Sequence, residues 1–205
     1  MLDKGARYVD STDSTGRTPL LYAAASGEWS VCRPLLHKGA NVDSTDSTGR
    51  TPLSYAAAGR NADICKLLLD KGANVDSTDS TGWTPLSDMA AGRNADIFRL
   101  LLDKGANVNP WNFTTDHTPL LYIGEVSACY TCRLLLDNGA NVDSADPAGR
   151  TPLSYAAAGE SQDICRTTVP KWTHPTRLAG YHYHMRWLIT QTWISIGYCC
   201  TTVLI

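Results

Sequence analysis

The residues of this sequence that could bind a metal are cysteines and histidines. Cys129 and Cys132 form one CxxC pair, a spacing at which two thiolates can share a zinc ion. A zinc site needs four ligands, and no second pair follows at a zinc-binding spacing. Five more residues near the C-terminus could be ligands, without a recognisable spacing: His174, His182, His184, Cys199 and Cys200. We therefore expect no metal and no cofactor.

Paired aspartates recur with the spacing Asp-x-x-Asp, at Asp43 and Asp46, Asp76 and Asp79, and Asp143 and Asp146. Such carboxylates could bind calcium, but the residues between them do not supply the alternating ligands of an EF-hand loop. The sequence also contains no GxSxG, no phosphate-binding glycine loop and no HExxH. We interpret the pairs as turn carboxylates and expect a protein that is not an enzyme.

The tripeptide Thr-Pro-Leu recurs every 33 or 34 residues, with its threonines at Thr18, Thr51, Thr84, Thr118 and Thr151. A fixed period of this length is typical of repeats that stack into a solenoid. Each unit reads as a short alanine-rich helix, a polar break, a second helix with an apolar stripe, and a polar loop. The sequence therefore predicts an all-α repeat solenoid, whose stability is shared between the units and their nearest-neighbour contacts.

The repeats divide the chain into an array at residues 1–166 and a divergent tail at residues 167–205. Four units are complete, and the partial unit 1–17 and the unit that starts at Thr151 are incomplete. The chain starts in mid-repeat, so we expect a fragment of a longer array with no N-terminal cap. Pro34 lies inside a helix, where proline costs about 3 kcal/mol, and we expect the first unit to be the weakest.

Helix ends and turns carry signals of their own. Asn61 and Asn94 suit the N-cap of the second helices. Gly27 separates the two helices of the first unit, but Gly59 stands one residue early in the second unit, which predicts an irregular turn. Glycines able to take positive φ end the second helices and complete the hairpin turns. These are Gly39, Gly72, Gly105 and Gly139 at helix ends, and Gly49, Gly82 and Gly149 in turns.

One position of the second helix holds cysteine in four units and phenylalanine in the other. The residues are Cys32, Cys65, Phe98, Cys132 and Cys165. A position that accepts both residue types serves packing, because free cysteine behaves as a small hydrophobe. We expect these thiols to be buried and to have no redox role.

The Thr-Pro-Leu start, the LLxxGA end of the second helix and the polar hairpin together resemble the ankyrin repeat, from about Ala6 to Cys165. The resemblance implies helix pairs with projecting hairpin fingers that recognise proteins through the fingers and the concave helix face. The histidine of the family pattern is replaced at five positions: Leu21, Ser54, Ser87, Leu121 and Ser154. The hydrogen bonding that this histidine provides between units is therefore expected to be weakened or absent.

Departures from the repeat cluster where the third unit meets the fourth. Tryptophan and then histidine replace the arginine before Thr-Pro-Leu, two aromatic residues enter the loop between, and the first helix gains an aspartate and a methionine. An aspartate at a core-facing position must be exposed or partnered, because burying it alone costs several kcal/mol. We expect a docking patch for a protein partner, formed by Trp83, Asp88, Met89, Trp111, Phe113 and His117. The alternative is that Trp111 and Phe113 fold back as local packing.

The net charge and the sequences at the two ends of the chain indicate which partners and which cellular compartment to expect. The net charge of −2, without a basic cluster, argues against nucleic acid. No secretory signal is present, so we expect a monomeric array in a reducing compartment, cytoplasmic or nuclear. Residues 187–205 carry no charge and approach the length that spans a bilayer, which leaves a membrane-tethered adaptor as one alternative. Another alternative is a regulatory segment of a larger enzyme.

Overall fold

The computed structural model describes residues 9–90, 94–112, 117–126, 129–152 and 154–155. The chain divides into two compact units, Met1–Pro119 and Leu120–Ile205. Below, a unit is one of these two parts, and a repeat is one helix pair together with the loop before it. Within the described residues all regular structure is helical, and the elements come in pairs, as the period predicts. The first unit holds α1 (Pro19–Ser26), α2 (Trp29–His37), α3 (Pro52–Ala58), α4 (Ala62–Asp70), α5 (Pro85–Ala90) and α6 (Ala95–Asp103). The second unit holds α7 (Pro119–Val126), which starts at the boundary, and α8 (Cys129–Asp137).

The first helix of each pair begins at the Thr-Pro-Leu tripeptide. Thr18 is the N-cap of α1, and its hydroxyl accepts a hydrogen bond from the backbone N–H of Leu21 at 3.3 Å. Proline follows at the first helical position, where its missing N–H costs nothing. Thr51 caps α3 in the same way, through the N–H of Ser54. The tripeptide is therefore a helix-start signal, a role that the sequence analysis did not assign to it.

The core of the first unit is formed by two rows of helices. α3 packs between α1 and α5, and α4 contacts both α2 and α6. Small buried residues of the first helices, such as Ala56 and Ala57, allow close approach, while Ile64 and Leu68 fill the space from α4. Burial of one such large aliphatic side chain contributes about 1.5–3 kcal/mol. The stack is thus stabilised by contacts between neighbouring pairs, which confirms the fold expected from the repeat.

The shared cysteine position is confirmed as a packing position. Cys32, Cys65 and Cys132 are fully buried free thiols, and Phe98 at the same position is fully buried as well. Burial raises the pKa of Cys32 to about 11 and that of Cys65 to about 12. Neutral thiols of this kind are poor nucleophiles and poor metal ligands. Cys165 lies outside the described residues.

Turns between the two helices differ from one repeat to the next. Gly27 ends α1 with a φ of 76°, the left-handed conformation that glycine adopts without strain. In the next repeat Gly59 has a φ of −74°, and Arg60 takes the left-handed conformation with a φ of 59°. The irregular turn expected there is present, and its left-handed residue carries a side chain.

The two predicted asparagine caps behave differently. Asn94 accepts hydrogen bonds from the N–H groups of Asp96 at 3.2 Å and Ile97 at 3.3 Å, which confirms it as a cap. Asn61 occupies the N-cap position of α4 but makes no capping hydrogen bond. Its amide group instead lies against Gly27 and Gly59. The prediction was right about the position and wrong about the side-chain hydrogen bond.

Pro34 is accommodated inside α2. The helix has nine residues, as many as α4 and α6, so the proline neither shortens nor ends it. Pro34 and Ser30 are both exposed, and water can therefore hydrate the Ser30 carbonyl that loses its helical N–H partner. Whether the first repeat is the weakest stays a prediction.

Hydrogen bonds between repeats are present despite the missing histidine. The hydroxyls of Thr18 and Ser44 lie 3.0 Å apart, and those of Thr51 and Ser77 lie 3.1 Å apart. The carboxylate of Asp43 accepts a hydrogen bond from the backbone N–H of Asn74 in the following repeat at 2.9 Å. Hydroxyl and carboxylate groups therefore make hydrogen bonds between repeats at positions that need no histidine.

Candidate functional site

The candidate site lies where the hairpin loops meet the first helices of the first unit. In four described loops one aspartate, called the loop aspartate below, accepts hydrogen bonds from the turn: Asp13, Asp46, Asp79 and Asp146. In three of these loops it also accepts a hydrogen bond from a tyrosine of the following helix. The Tyr22 hydroxyl donates to Oδ2 of Asp13 at 2.6 Å, and the Tyr55 hydroxyl donates to Oδ2 of Asp46 at 2.6 Å. The same bond joins Tyr155 to Asp146 at 2.8 Å in the second unit. The loop aspartate and the helix tyrosine thus form a repeated pair.

These bonds keep the aspartates ionised. Burial alone would raise the pKa of Asp46, but hydrogen bonds from Thr48 and Tyr55 lower it to about 2. The Tyr22 hydroxyl, with Thr15 and the loop backbone, also lowers the pKa of Asp13. A hydrogen bond to a carboxylate favours its charged form, which explains the direction.

Arginines link one aspartate–tyrosine pair to the next. Arg17 donates from Nη2 to the Tyr55 hydroxyl at 2.7 Å, and its Nε lies 3.7 Å from Oδ2 of Asp46. Its guanidinium carbon is 5.6 Å from the ring centroid of Tyr22 and 5.1 Å from that of Tyr55. One guanidinium group therefore lies against two aromatic rings and near a carboxylate, and these groups stabilise its positive charge.

The third repeat changes this arrangement at Asp88, which stands where the other repeats have tyrosine. Arg50 donates from Nη2 to both carboxylate oxygens of Asp88, at 3.0 Å each. The sequence separation is 38 residues, the same as between Arg17 and Tyr55, so Asp88 takes the partner that a tyrosine hydroxyl would take. The expectation that Asp88 is exposed or partnered is met by partnering, since only 15% of its side chain is exposed.

Asp88 is nevertheless in an unfavourable place for a negative charge. Burial raises its pKa to about 6, against the opposing effect of Arg50, and the nearby carboxylate of Asp79 adds to the rise. In this repeat Arg50 pairs with Asp88, while the second carboxylate nearby, that of Asp79, gains no pairing from it. The other described loop aspartates of the first unit, Asp13 and Asp46, each have a tyrosine hydroxyl instead of a second carboxylate beside them.

Asp79 loses its usual partners as a result. Its Oδ1 accepts from the Thr81 N–H at 2.9 Å, the Thr81 hydroxyl at 2.6 Å and the Trp83 N–H at 3.0 Å, which forms the normal loop turn. Its Oδ2 has no hydrogen-bond or ion-pair partner among the residues that the structure describes. The tyrosine has become Asp88, and Arg50 contacts Asp88 instead.

The aromatic members of the predicted patch lie on two successive hairpin loops. Trp83 is half-buried at the end of one loop. Trp111 on the next loop is 42% exposed, although it is a large apolar side chain. His117 is half-buried, and its carbonyl accepts the Asn112 N–H at 3.2 Å, which closes that loop. The exposure of Trp111 disfavours the alternative in which it folds back as local packing.

One other member of the predicted patch is not a surface residue. Met89 is only 1% exposed and belongs to the core, because its helix turns that side of α5 toward its neighbours. Phe113 lies outside the described residues.

Asp79 and Arg50 are the site residues that the sequence analysis missed. Both match the repeat pattern, so neither stands out as an exception. The sequence nevertheless contained a signal. Within one repeat, Trp83 replaces the arginine and Asp88 replaces the tyrosine that could bond to the loop aspartate Asp79. Finding the site requires comparing each residue with its contact partners in the neighbouring repeat, and not only with the equivalent positions of the other repeats.

The described part of the chain has neither a metal-binding cluster nor a membrane-spanning helix. No group of three or more histidine, cysteine or acidic side chains is arranged there to hold a metal ion. None of the helices described is both long and apolar enough to cross a bilayer. The tail at residues 167–205, with its uncharged segment 187–205 and its histidines, lies outside this part.

Comparison with known proteins identifies the repeat. A family model described as ankyrin repeats, in three copies, matches residues 30–112. The match covers α2 to α6 and the loops that carry Asp79, Trp83 and Trp111. No curated protein is similar enough to match the chain.

Proposed function

Because the chain is an ankyrin-repeat protein, we propose that it binds another protein and is not itself an enzyme. Ankyrin repeats are in general protein–protein interaction modules and typically catalyse no reaction. The proposed docking patch comprises Trp83, Asp88, Trp111 and His117, on two successive hairpin loops and the first helix between them. Met89 supports this patch from the core, and Phe113 stays a predicted member.

The observation that carries the proposal is the exposed indole of Trp111. Tryptophan is among the residues that most often act as interface anchors, and one such side chain can contribute about 2 kcal/mol or more to binding. The corresponding positions of the other hairpin loops hold small side chains, which contribute little: Thr12, Thr45, Thr78 and Ala145. The loop therefore offers a partner a large apolar group that the fold does not need for its core.

The first test is a comparison of two exposed tryptophans. Proteins captured by the full chain are quantified by mass spectrometry for the wild type, Trp111→Ala and Trp29→Ala. Trp29 is a matched control, because it is 43% exposed but lies at the start of α2, away from the patch. We expect at least one partner to be lost with Trp111→Ala and kept with Trp29→Ala.

Circular dichroism establishes that both variants are folded. Equal losses with the two variants, or no loss with either, would show that the patch does not bind a protein. The membrane-tethered adaptor, the regulatory segment of an enzyme and the cytoplasmic or nuclear compartment stay predictions, since they depend on residues or features beyond the patch.

A further inference from the structure

We propose that the partner places an arginine side chain against the carboxylates of Asp79 and Asp88, beside Trp83. This inference rests on the proposed function, because it names the chemistry of the protein segment that the same patch receives. The partner is a peptide segment with an accessible arginine, and the repeats of this chain themselves show how such a side chain is held.

The first argument comes from comparing the loop aspartates. Oδ2 is bonded to Tyr22 in Asp13, to Tyr55 in Asp46, and to both Tyr155 and Arg150 in Asp146. Of these four described loop aspartates, Asp79 is the one whose Oδ2 has no such partner. Its three potential partners are gone, because aspartate replaces the tyrosine, tryptophan replaces the arginine of its own repeat, and Arg50 has turned to Asp88.

The second argument is the way in which this chain holds its own guanidinium groups. Arg17 lies against the Tyr22 and Tyr55 rings and near the Asp46 carboxylate. Arg150 donates from Nε to Oδ2 of Asp146 at 2.7 Å and lies 4.7 Å from the Tyr155 ring centroid. A loop aspartate beside an aromatic residue is therefore a guanidinium site elsewhere in the chain, and the third repeat keeps the aspartate and gains Trp83.

Charge balance points in the same direction. Asp79 and Asp88 bring two negative charges, and Arg50 supplies one positive charge to the pair. A partner arginine would restore neutrality without displacing Arg50. Arginine suits the place better than lysine, since its planar group can pair with a carboxylate and stack on an aromatic ring at once.

The experiment starts from peptides selected against the full chain from a random phage-displayed library. Peptides whose binding is lost with Trp111→Ala are kept and titrated with their arginine replaced by citrulline, which is neutral and of similar shape, or by lysine. Two variants of the chain remove the proposed site. Asp79→Asn retains an oxygen for the loop turn, and Trp83→Arg supplies an arginine in the register that lets Arg150 reach Asp146.

We expect the kept peptides to contain an arginine. Citrulline, Asp79→Asn and Trp83→Arg should each weaken binding by about tenfold or more, with lysine intermediate. Asp46→Asn is the control, because its Oδ2 is already bonded to Tyr55, and it should leave peptide affinity unchanged.

The remaining outcomes separate this inference from the function it rests on. Kept peptides that bind equally well with citrulline, or to Trp83→Arg, would overturn the arginine site while leaving the protein-binding patch intact. A library that yields no peptide sensitive to Trp111→Ala would overturn both.

Discussion

The guanidinium of Arg50 holds Asp88 through two 3.0 Å hydrogen bonds, and it makes no ion pair with Asp79. Its counterpart Arg17 instead bonds to a tyrosine hydroxyl and lies 3.7 Å from the next loop aspartate. One substitution, aspartate for tyrosine at position 88, therefore changes the partners of two further residues. The third repeat retains its fold but gains a negatively charged surface that the other repeats neutralise.

Replacing Asp88 by tyrosine should stabilise the protein at neutral pH. The new hydroxyl can accept from Arg50, as Tyr55 accepts from Arg17, and donate to Oδ2 of Asp79, as Tyr55 donates to Asp46. A net hydrogen bond contributes about 1 kcal/mol, and the burial of one carboxylate is also relieved. Urea denaturation of the full chain should show an increase of about 1–2 kcal/mol in the free energy of unfolding.

The matched control is Asp88→Phe, which has the ring without the hydroxyl. It leaves Arg50 without an acceptor at this position and should be less stable than Asp88→Tyr. If the tyrosine and phenylalanine variants are equally stable, the hydroxyl bonds seen in the other repeats do not transfer to the third.

The Arg50–Asp88 pair also predicts a pH dependence. Burial raises the pKa of Asp88 from 3.8 to about 6 in the folded protein. The stability that the protonated Asp88 carboxyl contributes is therefore fully present below about pH 4 and is lost as the pH rises through about 6. The difference is on the order of 3 kcal/mol, since one pKa unit corresponds to about 1.4 kcal/mol. Unfolding free energies of the wild type and Asp88→Asn, compared between pH 4 and 7, should show this loss in the wild type.

Asp46 serves as a control, because its pKa is shifted in the opposite direction and the pH dependence of its contribution to stability has the opposite sign. Its pKa is lowered to about 2, so its contribution is present above about pH 4 and is lost as the pH falls through about 2. Asp46→Asn should therefore differ most from the wild type near neutral pH and least in strong acid. A wild-type curve that is parallel to that of Asp88→Asn across pH 4 to 7 would rule out the raised pKa of Asp88.

The sequence predicted the features that repeat, and failed where a feature depends on a neighbouring repeat. Helix order, buried cysteines and left-handed glycines follow from local patterns that recur in each repeat. The Asp79 Oδ2, which has no partner among the described residues, depends on Arg50 from the preceding repeat, because Arg50 bonds to Asp88. The burial of Met89 likewise follows from how α5 packs against other helices. Comparing the residue at this position among the repeats does not reveal that packing.

Arg60 is a site where a single substitution should stabilise the fold. It holds a φ of 59° with an exposed side chain, so its side chain offers little compensation for the left-handed backbone. That conformation costs a residue with a Cβ roughly 1–2 kcal/mol, and glycine avoids this cost. Part of the resulting gain in stability is lost, because glycine has greater conformational freedom in the unfolded chain. Arg60→Gly should raise the free energy of unfolding by about 0.5–1 kcal/mol in urea denaturation.

Arg60→Ala separates the backbone effect from the loss of the long side chain. Alanine retains the Cβ, so this variant should show no comparable gain. Equal stabilisation by glycine and alanine would instead attribute the effect to removal of the arginine side chain.

The two asparagines that precede the second helices form a matched pair for measuring a cap. Asn94 accepts two backbone hydrogen bonds at the start of α6, and replacement of such a cap by alanine costs about 1 kcal/mol. Asn61 occupies the same position of α4 without a capping bond, so Asn61→Ala should lose less stability through its helix end. Thermal and urea denaturation of the two variants should therefore rank Asn94→Ala as the less stable. The reverse order would mean that the contact of the Asn61 amide with Gly27 and Gly59 stabilises the second repeat more than a helix cap does.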